Sequence, residues 1–275
     1  MIQGYRMAGP PPHGEPPKPP EGERDWPVWL GFAAFALAFL VSNLAYAILL
    51  AASGADLDKT PAWLDLSSAV ILEASLIGVA LFAASLYRPL RARDFGLVRT
   101  RFWPAVGWAA LAMVAFYAFA ILWTTLVGEP KQTTAEDIGA NESELALIAA
   151  GVLFVVFAPI GEEFFFRGFF YATLRTSLPA GWAAIVNGMV FGLIHASTGV
   201  SAVPALVLLG VLLCLVRERT GSLYPCIAIH ALNNTLAYAS LTDVEPGIAA
   251  GLGALMLAAC ALVPRVVSRA APAGA

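Results

Sequence analysis

Eight long stretches of the chain are almost wholly apolar, each closed by a short polar or turn-forming break. They run at about 29–53, 64–87, 103–127, 145–176, 180–196, 200–216, 223–241 and 247–267. A helix needs roughly 20 apolar residues to cross the hydrocarbon core of a bilayer. Most of these stretches reach that length; the fifth and sixth lie near the short limit, and the fourth is unusually long. The pattern predicts an all-α, polytopic membrane protein with eight transmembrane helices. Four regions follow: a tail at 1–27, three helices and an outer loop at 28–144, a polar-bearing block at 145–241, and a last helix with a short tail at 242–275.

Composition agrees. Of 275 residues, 59% are hydrophobic and 13% charged, whereas a soluble domain is nearer half apolar and a quarter charged. A single soluble domain of this length must still cover its surface with polar groups. A net charge of −3 excludes a general affinity for nucleic acid. Cys214, Cys226 and Cys260 sit inside apolar runs and read as apolar helix residues rather than a disulfide framework. Residues 1–27 hold eight of the nineteen prolines and no apolar run before Trp29, so they read as a disordered tail and not a signal peptide.

Charge then sets orientation. With the N-terminus inside, thirteen of the sixteen lysines and arginines fall on cytoplasmic segments. Outside loops hold only Lys59 and Lys131, and Arg167 lies within the fourth apolar stretch. Basic residues concentrate on the cytoplasmic side of membrane proteins, so both termini are expected in the cytoplasm of a multi-pass plasma-membrane protein. The acidic 128–144 loop is expected outside.

Ionisable side chains inside spans are costly and mark a site or a tight structural pair. Here they are Glu73, Glu162, Glu163, Arg167, His195 and His230, accompanied by Asn187, Asn233 and Asn234. Glu163 and Arg167 stand four apart with the acid first, the favourable order for a helical ion pair. Glu162 lies about 100° round the helix and needs another partner. His230 and Asn234 are one turn apart and share a face. Measured from the turn at 177–181, Glu162 and His195 lie about 24 and 22 Å along their helices, at one depth. His230 and Asn234 lie about 12 and 18 Å above their own turn, close enough to join one polar layer. Glu73 stays open between a buried hydrogen bond, a position near the rim and a functional role.

One carboxylate, two imidazoles and an amide can hold and deprotonate a water and stabilise an oxyanion. Glu162 beside His195 is the candidate base; His230 and Asn234 are the candidate donors to the oxyanion. The same Glu162, His195 and His230 form an ordinary zinc ligand set, with water at the fourth position. Both the zinc and the metal-free chemistries use these residues. No H-E-x-x-H occurs, and none of the seven aspartates lies mid-span. A serine mechanism would lean on a stretch such as Gly199-Val200-Ser201, and no second feature singles that serine out.

E-E-x-x-x-R, F-x-x-x-H and H-x-x-x-N, in this order on successive late helices, resemble the CAAX-protease and bacteriocin-processing (CPBP, or Abi) family of intramembrane endopeptidases. The resemblance covers about 145–241. It implies eight helices and a cavity open to the cytosol. It further implies that Glu162 activates water with His195, that His230 and Asn234 bind the oxyanion, and that Glu163 and Arg167 support them. Members of that family are described as metalloproteases, and a glutamate-activated water is also attributed to them. The substrate expected is a membrane-associated protein or peptide in contact with the lipid bilayer, and eukaryotic members trim prenylated CAAX proteins. A non-proteolytic transporter or immunity-type scaffold is the alternative. Transporters more often show internal repeats, and no repeat is visible here.

The charge asymmetry carries its own test. Topology reporters fused after residue 140 are expected to read outside, and those after residue 220 inside. The reverse pattern would overturn the orientation.

Overall fold

The computed structural model describes residues 25–56, 60–128, 143–196, 199–242 and 244–270, with side chains to residue 266. The tail at 1–24, most of the acidic loop and both outer lysines therefore lie outside the described residues. All described regular structure is helical. Eight helices occupy the eight apolar stretches: α1 Val28–Ser53, α2 Ala62–Ser85, α3 Phe102–Val127, α4 Glu144–Arg175, α5 Ala180–Ile194, α6 Val203–Thr220, α7 Tyr224–Leu241 and α8 Pro246–Ala270.

Of the eight expected spans, six are supported by length and hydropathy. Among the described residues, six helices are long and apolar enough to cross a membrane: α1, α2, α3, α4, α6 with its leading turn, and α8. The other two fall short for different physical reasons. α5 has 15 residues, about 22 Å of helix. α7 has 18 residues but carries His230, Asn233 and Asn234, which lower its hydropathy. The chain is an integral, multi-pass membrane protein.

Local sequence explains where the helices begin and end. Pro27, Pro61 and Pro179 immediately precede α1, α2 and α5, while Pro204 and Pro225 fall in the first turns of α6 and α7. A proline there gives up no helical hydrogen bond. Ser143 caps α4 by accepting from the Ala146 N–H at 3.1 Å. Gly54 and Gly221 close α1 and α6 in the left-handed conformation, with φ of 66° and 65°.

α4 is the central helix. Its middle turns bury Phe164, Phe165, Phe166, Phe169 and Phe170, and α1, α2, α5, α6 and α7 all pack on it. A helix apolar on every side belongs inside a bundle. α5 and α6 form a tight hairpin on one flank, α1 and α2 pack together on another, and α7 packs along α8. On the face holding the α2–α3 and α6–α7 connections, the Leu223 N–H donates to Gly96 O at 2.8 Å and Ser222 Oγ to Val98 O at 2.7 Å. These bonds lock the two connections to each other.

Small residues let α5 and α6 approach closely. A Cβ added to Gly210 would lie 2.7 Å from the Gly188 Cα, and one added to Gly188 would lie 2.7 Å from the Val207 carbonyl oxygen. Close backbone approach through glycine is how membrane helices gain contact when lipid competes for apolar surface. Gly210→Ala is expected to destabilise the protein by about 1–3 kcal/mol through overpacking, read as a lower melting temperature in detergent. An unchanged melt would contradict the close crossing.

Candidate active site

The site is built on irregularities in α4. The helix passes through two wider, π-helical turns, Leu153–Phe157 and Phe164–Phe170, which flank an ordinary segment at Ala158–Glu163. Such turns re-aim side chains and free carbonyls, and they concentrate at functional sites. Glu162 and Glu163 end the segment between them.

Glu163 is consumed by structure. Its Oε1 accepts from Arg167 Nη1 at 2.6 Å, and both side chains are fully buried. Arg167 also donates from Nη2 to Gly210 O at 3.2 Å, and its guanidinium lies 4.3 Å from the Phe191 ring centroid. His230 Nδ1 stands 2.9 Å from the same Glu163 Oε1. A carboxylate that takes an arginine N–H acts as an acceptor, so Nδ1 is the protonated nitrogen of His230.

Glu162 is differently placed. Its Oε1 stands 3.9 Å from His195 Nε2 and its Oε2 stands 3.8 Å from His230 Nε2. Its Oε2 makes no hydrogen bond among the described residues. These separations are too long for direct hydrogen bonds and suit a bridging water. His195 does not lie inside α5 as its motif implied: the helix ends at Ile194 and His195 follows it. Its Nδ1 reaches back to Phe191 O at 2.7 Å. A carbonyl only accepts, so Nδ1 is the donor, and it satisfies one of the orphan carbonyls of the last turn. The four-residue spacing of Phe191 and His195 thus has a local cause, reinforced by their ring contact at 4.9 Å.

Asn234 completes the group. It donates from Nδ2 to Phe154 O at 2.9 Å, a carbonyl in the first π-helical turn, and accepts from Asn233 Nδ2 at 3.4 Å. That fixes the amide and leaves its second N–H for another acceptor. Glu162, His195, His230 and Asn234 line one cavity of about 230 Å³, together with Glu73, Phe191 and Tyr238.

The polar layer expected from depth along the helices therefore exists, and it joins α4, α5 and α7. Sequence reasoning left two contributors unplaced. Glu73 of α2, marked in the sequence only as an ionisable residue inside a span, reaches the same cavity, and the Phe154 carbonyl, which has no local sequence signal, orients Asn234. Asn187 is a buried tie, donating to Phe166 O at 2.8 Å and accepting from Cys214. Ser201 lines a different cavity. All three cysteines are free thiols.

The zinc expectation can be tested on the donors. Both histidines anchor Nδ1 and turn Nε2 toward Glu162, an orientation also found in metal sites. At 3.8 and 3.9 Å from Glu162 the two Nε2 atoms stand wider than the ligands of a closed zinc site, and no metal-holding group of three His, Cys, Asp or Glu side chains is found among the described residues.

Residues 144–236 match the family model described as type II CAAX prenyl endopeptidase Rce1-like. The match covers about a third of the chain and is a similarity of this stretch to the CAAX protease family. No curated protein and no solved structure matches the chain. The Rce1-like stretch contains Glu162, Glu163, Arg167, His195, His230 and Asn234, whereas Glu73 lies outside it. It also contains both π-helical turns and the Gly188–Gly210 crossing.

The buried pair of this stretch separates support from chemistry. Arg167→Ala strands the Glu163 carboxylate and is expected to cost on the order of 3–5 kcal/mol, seen as poor expression or a lowered melting temperature. Glu163→Gln combined with Arg167→Met removes both charges together and is expected to recover much of that loss. An Arg167→Ala protein that melts normally yet lacks activity would move the arginine into the chemistry.

Proposed function

We propose that this protein is an intramembrane endopeptidase that hydrolyses a peptide bond of a membrane-associated protein or peptide. One observation carries the reading: Glu162, with no arginine partner among the described residues, faces the Nε2 atoms of two histidines at 3.8 and 3.9 Å across one cavity. The Rce1-like match supports the same class of reaction.

The chemistry follows from which atoms accept and which donate. Glu162 Oε1 and the Nε2 of neutral His195 are both acceptors, so a water between them gives each one hydrogen and turns its lone pairs outward. As that oxygen attacks the substrate carbonyl, Glu162 takes the proton. Negative charge develops on the carbonyl oxygen, within reach of the second Asn234 N–H. His230 joins as a donor when Nε2 is also protonated, with Nδ1 held on Glu163. Preorganised donors in a water-poor cavity stabilise such an oxyanion far better than water does.

The orientation belongs to the same reading. Both termini lie in the cytoplasm, eight helices cross, and the short α5 crosses where the bilayer thins beside it. The plasma membrane is the expected location.

Purified protein in detergent or nanodiscs, assayed on membrane-inserted peptides, tests the reading. Wild type is expected to cleave with or without a chelator. Glu162→Gln is expected to lose at least about 10²–10⁴ in rate while folding normally, and near-normal cleavage would remove its role as base. Asn234→Ala is expected to lose roughly 10²–10³ in kcat with little change in KM. Activity abolished by chelation and restored by zinc would instead support the metalloprotease reading with Glu162, His195 and His230 as ligands. Failure of wild type to cleave any such peptide would leave the transporter or immunity-type scaffold.

A further inference from the structure

Glu73 sits mid-way along α2, with 7% of its surface exposed. Its Oε2 makes no hydrogen bond among the described residues. A buried carboxyl oxygen held for structural reasons is ordinarily hydrogen-bonded. This one instead lies against the backbone of Gly161, where an added Cβ would stand only 2.2 Å from it. Gly161 immediately precedes Glu162, so the glycine lets a second carboxyl approach the first. Both line the cavity that holds His195, His230 and Asn234.

Among the described residues, the surroundings of Glu73 supply no permanent cation. The titratable groups sharing its cavity are Glu162 from α4, His195 following α5, and His230 and Tyr238 from α7. The only ionisable side chain of α1 is Tyr46, which bonds to Asp65 of α2 instead. Glu144, at the start of α4, is exposed. The charges of Glu163 and Arg167 are spent on each other.

We infer that Glu73 is a catalytic acid of the proposed hydrolysis, the group that protonates the departing amine. The inference rests on the endopeptidase reading above and assigns the proton that reading leaves unassigned. An amide nitrogen leaves only when protonated, and the water's proton is then on Glu162. In its acid form Glu73 gives a proton to the nitrogen as the C–N bond breaks, leaving a neutral amine, a carboxylic acid product and a Glu73 carboxylate. Once the amine departs, a water in the cavity passes the proton held by Glu162 to Glu73, and both carboxyls return to their starting states. Two neighbouring carboxyls that share one proton between them fit this alternation.

A general acid matters only when the leaving group needs a proton, and the test exploits that. Full-length protein is given a membrane-inserted peptide that wild type cleaves. It is also given the same peptide with a thioester at the scissile bond, whose thiolate departs unprotonated. Glu73→Gln keeps the size and neutrality of the acid but has no proton to give. Its amide cleavage is expected to fall by about 10² or more, in kcat rather than KM, with thioester cleavage and melting temperature nearly unchanged. Glu73→Asp keeps an acid and is expected to retain more amide cleavage than Glu73→Gln at similar thioester rates; this comparison stands even if the Gln variant folds poorly. Equal losses on both substrates, or no loss on the amide, would overturn the inference and leave the endopeptidase reading intact. A wild type that cleaves neither substrate would remove both.

Discussion

The buried pair of Glu163 and Arg167 is the interaction on which the bundle depends. A guanidinium taken fully out of water is tolerated only where several acceptors and a π-face replace its hydration. Here the acceptors come from α4 and α6, and the ring of Phe191 comes from α5. Through Glu163 the same network reaches His230 on α7. One arginine therefore holds four helices in register where lipid gives helices no hydrophobic reason to associate. The price of breaking it is an uncompensated charge in an apolar interior. The fold consequently resists sliding of α5, α6 or α7 against α4, and those three helices carry or flank the polar side chains of the cavity.

The pair also decides what Glu162 is left to do. Two adjacent acids on one helix would compete for a single arginine if they shared a face. The helical offset gives the arginine to Glu163 and turns Glu162 toward the cavity. The arrangement makes His230 a joint member of both groups, with Nδ1 on the structural carboxylate and Nε2 toward Glu162. Stability and chemistry are coupled through one imidazole, so a change at Glu163 is felt at the cavity even though its own carboxylate faces the arginine.

How much of this was legible in the chain depends on the range of each interaction. The Glu163–Arg167 pair follows from a four-residue spacing, and the Phe191–His195 contact follows from another. The meeting of Glu162 with His195 followed from counting equal helix lengths away from a tight turn. The shortfall of α5 below a full span was visible only as a marginal length, and the end of that helix at Ile194 depends on the histidine ring capping its own last turn. The approach of Glu73 to Gly161 and the bond from Asn234 to Phe154 O join residues more than 75 positions apart. They depend on how α2 docks and on a π-helical turn in α4. Apolar periodicity encodes neither.

A second cavity of about 340 Å³ adjoins the first and shares Leu206, Asn233 and Ala237 with it. Its remaining wall is mostly aromatic and aliphatic, with Phe116, Tyr117 and Trp123 from α3, and includes the hydroxyls of Thr124, Ser201 and Ser240. Asn233 stands at the boundary, accepting from Tyr117 Oη at 3.3 Å and donating to Asn234 at 3.4 Å. Adjacent residues of α7 thus face different surroundings: Asn234 belongs to the polar cavity and Asn233 belongs to both. Successive positions on a helix lie about 100° apart, so two neighbouring amides can serve two chambers without either leaving the helix. Any movement of α3 would reach Asn234 through Tyr117 and Asn233, while the bond to Phe154 O resists it. The orientation of that amide is therefore set by its bond to Phe154 O of α4 and by its contact with Asn233, which is itself bonded to Tyr117 of α3.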